Sequence, residues 1–275
     1  MILTVIPTGG LGNRMLAVAA GYNLAKISNR ELEIIWQKDA GLNAAFDDIF
    51  EFNKSWFELK EINKIKYDLI YELPRKKNFF LPKFIHLFDS RKWLYHYGDK
   101  AELMDDDYFE NICISQNKNV VVMSCYPFYK FTNQQVRNLF TPSKAVANRI
   151  GEILKNSNPE VAVQIRRTDN KWSIENSPVK LFEEAVDKEI KGNPHGKIYL
   201  ATDDQNIKNY FSKKYGDLIV YNPKKAERDS LSGIIDAVAE MEIMSKCRRI
   251  YGSYSSTYSV VASYLGDTDL IVVKK

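Results

Sequence analysis

Two adjacent arginines, Arg166 and Arg167, follow the short apolar run Val161 to Ile165 and lead into Thr168 and Asp169. Guanidinium groups at the mouth of a buried strand are costly unless an anion or a carboxylate meets them. The planar fork of a guanidinium suits phosphate oxygens, to which it makes paired hydrogen bonds. Neighbouring side chains on a strand point opposite ways. One arginine is therefore expected to face an anionic ligand and the other to pair structurally, with Asp169 as its partner. Further on, Thr202-Asp203-Asp204 offers carboxylates for a ribose, a sugar or one of those arginines, or a cap for the helix opening at Gln205. A third run, Gly252-Ser253-Tyr254-Ser255-Ser256-Thr257, joins a glycine that permits close approach to hydroxyls that donate. The helix start that follows adds free N–H groups and a positive dipole end. Together these residues could cradle a diphosphate without a lysine.

All three runs fall where strands end. Val161 to Ile165, Lys197 to Ala201, Leu218 to Tyr221, Arg249 to Tyr251 and Leu270 to Val273 read as five short strands. Helical stretches lie between them near Val179 to Ile190, Gln205 to Tyr215, Ser230 to Cys247 and Tyr258 to Leu265. Such alternation predicts an α/β fold with a parallel sheet covered on both faces, and such sheets bind ligands beyond the carboxyl ends of their strands. The N-terminal end reads as another βαβ unit: a strand at Leu3 to Ile6, a tight turn at Gly9 to Asn13, a helix at Met15 to Ile27 and a strand at Leu32 to Trp36. Val120 to Ser124 is a further buried strand. Between them, Asp39 to Asp107 is rich in rings (Phe46, Phe50, Phe52, Trp56, Phe57, Phe79, Phe80, Phe84, Trp93) and is expected to hold short elements, long loops and an acceptor-binding face. Thr141-Pro142 predicts a helix N-cap and first residue, with the helix running to about Lys155. A domain boundary just before it divides the chain into residues 1–140 and 141–275.

The chain has 275 residues, 45% apolar and 27% charged, which fits a folded globular protein with room for two modest domains. Its net charge of +4 suits an anionic small ligand, or peripheral contact with an acidic membrane surface, and falls short of the basic stripe that nucleic acid demands. The densest basic run, Arg75-Lys76-Lys77, reads as a solvated loop. Cys113, Cys125 and Cys247 are odd in number and far apart, so neither a zinc site nor a disulfide framework is indicated, and a reducing cytosol is the expected compartment. No run approaches the about 20 apolar residues of a membrane span, and the apolar N-terminus is too short for a signal sequence.

Four blocks, in order, resemble the motifs of the α1,2-, α1,6- and protein O-fucosyltransferase superfamily. Gln164-Ile165-Arg166-Arg167-Thr168-Asp169 resembles its His-x-Arg-Arg-x-Asp motif, and Gly10-Leu11-Gly12-Asn13-Arg14 its N-terminal Gly-x-Gly-Asn-Gln loop. Leu200-Ala201-Thr202-Asp203-Asp204 and Gly252-Ser253-Tyr254-Ser255-Ser256 are similar to its second and third motifs. The resemblance implies a GT-B fold, with two Rossmann-like domains facing across a cleft. It also implies inverting transfer from GDP-fucose to a glycan hydroxyl, with no metal or other cofactor. By motif position Arg167 would hold the β-phosphate, while Ser255 and Ser256 would bond the diphosphate. Gly12, Arg14, Gln164, Arg166, Asp169, Asp203, Asp204, Ser253 and Thr257 would complete the donor site. Asn13 would approach the reacting centre from the other domain, and Glu240 would accept the guanine N1 and N2 hydrogens. Gln164 stands where the family has His and Glu240 where it has Asp; both departures fall at the base-recognition end.

Histidine is scarce (His86, His96, His195), so Glu175, in the loop past the arginine motif, is the candidate general base for the acceptor hydroxyl. Three rival readings use other residues. Asp105-Asp106-Asp107 could serve a metal-dependent GT-A enzyme as an Asp-x-Asp clamp. Gly10-x-Gly12 could belong to a dinucleotide fingerprint, but Met15 replaces its third glycine. The Gln164 substitution also fits a binding module of the same fold that has lost turnover.

Overall fold

A computed structural model describes residues 1–39, 41–63, 90–96 and 104–275. The chain divides into two compact units, one of Met1–Thr141 with Arg228–Leu231 and one of Pro142–Glu227 with Ser232–Lys275. Arg75-Lys76-Lys77, Phe79, Phe80, Phe84 and His86 lie outside the described residues.

The first unit holds β1 (Ile2–Pro7), α1 (Leu11–Ile27), β2 (Glu31–Lys38), α2 (Phe46–Ile49), β3 (Glu58–Asn63), β4 (Lys92–His96), α3 (Asp106–Ser115), β5 (Val120–Ser124) and α4 (Asn133–Leu139). Its five strands form one parallel sheet in the order β3-β2-β1-β5-β4. α1 begins earlier than expected. The turn is confined to Gly9 and Gly10, and Leu11 to Arg14 already form the first helical turn. Gly9 takes φ +82, a conformation that other residues resist, and this lets the chain reverse directly from strand to helix. Three rings of the aromatic stretch belong to the core. Phe46, Phe50 and Phe57 are buried, with Phe46 edge-on to Trp36 at 5.3 Å and Phe50 packed on Phe140 at 5.1 Å. These three rings fill an interior, while Phe52, Trp56 and Trp93 are only partly buried.

The second unit holds α5 (Lys144–Leu154), β6 (Val161–Ile165), α6 (Lys171–Asn176), α7 (Val179–Gly192), β7 (Ile198–Thr202), α8 (Gln205–Tyr215), β8 (Ile219–Tyr221), α9 (Leu231–Ser245), β9 (Arg249–Ser253), α10 (Thr257–Gly266) and β10 (Asp269–Val273). Ser143, not Thr141, caps α5: its side chain accepts from the Val146 N–H, so Pro142 precedes the helix. The parallel sheet runs β10-β9-β6-β7-β8, and its two central strands are buried on both faces. Val163, Ile165, Phe182, Leu200 and Phe211 lie in the core between sheet and helices. From β6 the chain steps to β7 and β8 on one side, then returns to β9 on the other. The sequence order therefore reverses between β6 and β9, and a crevice opens at such a reversal beyond the carboxyl ends of the strands.

Candidate functional site

The arginine pair leaves β6 at that reversal. Ser253, at the end of β9, spans the two strands: its hydroxyl donates to the Gln164 carbonyl (3.1 Å) and accepts from the Arg166 N–H (3.0 Å). The Ser253 N–H donates to Gln164 Oε1 at 3.3 Å, and both residues are buried. Gln164 Oε1 and the Ser253 hydroxyl, both expected at the donor site, here join β6 to β9. Asp203 plays a similar part from β7, where its carboxylate accepts from the Arg167 N–H (2.7 Å) and the Thr168 hydroxyl (2.7 Å). Asp204 caps α8, accepting from the Asn206 N–H at 2.8 Å.

The two arginines separate as strand alternation requires. Arg166 pairs with Asp169 at 2.5 Å. Arg167 donates to the carbonyls of Ser177 and Ile174, and among the described residues no carboxylate lies within ion-pair distance of its side chain. Its Nε, like that of Arg166, is buried without a hydrogen-bond partner. Burial draws its pKa down from the ordinary value while Asp203 and Asp204 hold it up. A guanidinium so placed stays charged and, among the described residues, forms no ion pair.

The segment carrying Arg167 is tied to the turn between β9 and α10. Asn170 Nδ2 donates to the Ser255 carbonyl (2.8 Å), the Ser173 hydroxyl to the Tyr254 carbonyl (2.6 Å), and the Tyr254 N–H to Ser177 Oγ (2.8 Å). Ser255 is exposed and takes φ +56. Ser256 stands at the N-cap of α10 yet makes no side-chain cap bond, and its buried hydroxyl has no partner. With no acidic residue in the first turn, the helix opens at Thr257 with its positive end unopposed by a side-chain cap. Gly252 is needed for packing and not for approach to a ligand, because a Cβ there would lie 2.4 Å from Ser259 Oγ on α10. Asn170, Ser173 and Ser177 were missed by sequence reasoning. An Asn three residues before a Ser is an N-cap signal, and Asn170 Oδ1 does accept from the Ser173 N–H, capping α6.

Glu240 lies in a buried polar cluster on α9. Burial pushes its carboxyl up to about 7, against the opposing pull of Lys208, a hydrogen bond from Asn222 and the charge of Arg149; Asp236 adds to the rise. Asn222, just past β8, also accepts from Arg149 Nη2 at 3.0 Å. Buried Lys208 donates to the Lys224 carbonyl at 2.5 Å, and the buried Tyr199 hydroxyl has no partner.

In the first unit, Arg14 is fully buried: Nε donates to the Gly9 carbonyl (2.8 Å), Nη1 to the Gln37 carbonyl and Nη2 to Asp39 Oδ2 (2.6 Å). Its guanidinium is closed on all sides, which removes it as a donor ligand. Gly12 is buried in α1, and Asn13 is half-buried on the first helical turn. Glu175 is exposed on α6, a short helix where a loop was expected. Of the acidic run, Asp105 caps α3 through the Tyr108 N–H (2.9 Å) and Asp106 accepts from the Lys130 N–H (3.0 Å), so both have local structural work.

No protein-family model matches the chain, and no curated protein does. Solved structures do. A NodZ alpha-1,6-fucosyltransferase soaked with GDP-fucose is 15% identical with TM-score 0.64, covering 96% of this chain and 92% of that one. POFUT1 in complex with GDP-fucose is 11% identical with TM-score 0.60, covering 99% and 97%. A variant of Arabidopsis thaliana FUT1 in complex with GDP is 16% identical with TM-score 0.60, covering 98% of this chain and 69% of that one. At such identities the likeness is one of fold: two parallel-sheet α/β units, as in the GT-B fucosyltransferases.

Proposed function

We propose that the protein is an inverting glycosyltransferase that moves fucose from GDP-fucose to a glycan hydroxyl without a metal ion. The observation that carries this reading is Arg167, a partly desolvated cation with no ion-pair partner among the described residues, on a segment bonded to the turn that leads into the uncapped start of α10. As the bond from the sugar anomeric carbon to the β-phosphate oxygen breaks, negative charge grows on the departing diphosphate. Arg167, the Ser256 hydroxyl and the first N–H groups of α10 meet that charge, the role a divalent cation fills in other enzymes. Attack by the acceptor oxygen on the opposite face inverts the centre, and the hydroxyl proton passes to a base, for which Glu175 is the candidate. Glu240 supplies the acceptor for guanine N1 and N2 hydrogens from inside the polar cluster. The names of the structural neighbours, fucosyltransferases with GDP-fucose or GDP, support the donor assignment.

The test is a thermal-shift panel of GDP, UDP, ADP, dTDP and CMP, followed by donor turnover in EDTA. GDP alone should stabilise the protein, by about 2.7 kcal/mol at a hundredfold excess over Kd. Turnover should survive the chelator. Arg167→Ala should fold normally and lose transfer by about 3 kcal/mol of barrier, more than a hundredfold. Wild-type turnover by that variant would refute the assignment, and GDP binding without donor cleavage would leave a binding module.

A further inference from the structure

We propose that Trp172 is the platform on which the acceptor saccharide stacks, with Tyr254 on the adjoining turn; this rests on the transferase reading above. Of the four tryptophans, Trp36 is fully buried, Trp56 and Trp93 are partly buried, and Trp172 is 68% exposed. Leaving so large an apolar ring in water forgoes stabilisation that burial would bring, so an exposed indole beside a candidate site invites an occupant.

The indole does not hang on a loose loop. It sits on α6, directly past Arg167, and that helix is fastened at both ends. Asn170 and Ser173 bond the Ser255 and Tyr254 carbonyls, Ser177 Oγ donates to the Val273 carbonyl (2.6 Å), and the Lys275 N–H donates to the Asn176 carbonyl (3.0 Å). The backbone that carries the ring is thus already fixed, so binding need not order it, which is the economy of a preorganised contact.

The surroundings favour a sugar over a protein. On α6 and the adjoining turn the exposed apolar side chains are Trp172, Ile174 (38%) and Tyr254 (37%), with Ile271 and Val272 on nearby β10, interspersed with Lys171, Glu175 and Lys274, whose Nζ lies 5.8 Å from the Tyr254 ring centroid. A few side chains interrupted by charges are too small a patch for a stable protein interface. A pyranose, by contrast, offers an apolar C–H face the size of an aromatic ring and a rim of hydroxyls for the polar neighbours. Because the same segment carries Arg167, a sugar stacked there adjoins the proposed donor site.

The test uses the full chain, with GDP present, on an array of immobilised chitotetraose, cellotetraose and N-acetyllactosamine oligomers, beside the GDP thermal shift. Trp172→Ala should weaken binding to whichever glycans the wild type captures by about tenfold, and Trp172→Tyr should restore most of it. The GDP shift should be the same in all three proteins. Equal glycan binding by Trp172→Ala overturns the proposal, as does a wild type that captures none of the glycans. Loss of the GDP shift together with glycan binding in Trp172→Ala also overturns it, by showing a structural role. A wild type that captures glycans through Trp172 but shows no GDP shift would sink the donor reading and leave the platform standing.

Discussion

At the scale of single residues, the difference between Arg166 and Arg167 is the most informative contrast in the molecule. Arg166 is paired with Asp169, whereas among the described residues Arg167 makes no ion pair. The strand-end position and alternation made that division legible beforehand, since charge at the mouth of a buried strand must be answered by something. Gln164 and Arg14 were misread because sequence shows a polar type and not which way it faces. Gln164 is held by Ser253, far away along the chain, and Arg14 is sealed by the backbone of β2 and by Asp39. Glu240 supports a pH prediction. Its carboxyl stands at about 7 in the free protein, and only its ionised form can accept from two guanine N–H groups. Taking the pH from 8 to 6 should therefore weaken GDP binding by about tenfold, the cost of a binding-competent fraction near one in ten. Glu240→Gln should bind weakly with a flat profile. Stability must run the opposite way for the same group. Raised from 4.5 to about 7, it binds more protons folded than unfolded, so the free protein loses stability as pH rises across that window. Calorimetric titration with GDP at pH 6, 7 and 8 checks the first sign, and urea denaturation at pH 5 and 8 the second.

At the scale of elements, legibility followed regularity. α8 begins and ends where its pattern predicted, and the strands of the second unit shift by no more than two residues, because a doubly covered parallel strand must be a short unbroken apolar run. The short helices α4 and α6 escaped notice, since each is too brief to show a helical period. At α5 two capping signals competed, and Ser143 prevailed over Thr141. The start of α10 is the element on which the donor reading leans, and its seat against β9 depends on Gly252. A methyl group there would meet Ser259 Oγ at 2.4 Å and Ser259 Cβ at 2.7 Å, so strand and helix would have to part. Gly252→Ala should cost about 1–3 kcal/mol of stability by the usual penalty for overpacking. Gly151→Ala is the matched control: it lies within α5 with nothing near the added carbon, and should stabilise by about 0.4–1 kcal/mol. Urea denaturation of the two variants beside wild type measures both. If Gly252→Ala were as stable as wild type, the close seating of α10 on β9 would be wrong.

At the scale of the whole molecule, both sheets reverse their strand order near the middle, between β1 and β5 in the first unit and between β6 and β9 in the second. Each reversal is a place where a parallel sheet can hold a ligand, so topology alone names two sites. Electrostatics chooses between them for a nucleoside diphosphate. Beyond β1, the Arg14 guanidinium is already consumed by Asp39 and two carbonyls, whereas beyond β6 Arg167 keeps its charge on a segment hydrogen-bonded to the turn before an uncapped helix start. An anion should therefore settle on the second unit and not at the first unit's reversal. Hydrogen exchange with and without GDP reads this directly. The largest slowing should fall on amides of residues 166–177 and 253–259, including the first turn of α10, with a smaller effect around Glu240 on α9. Amides of residues 9–14 should exchange at the same rate in both conditions. Protection centred on residues 9–14, with residues 253–259 unchanged, would place the nucleotide at the wrong reversal and remove the physical basis for a metal-free donor site at Arg167.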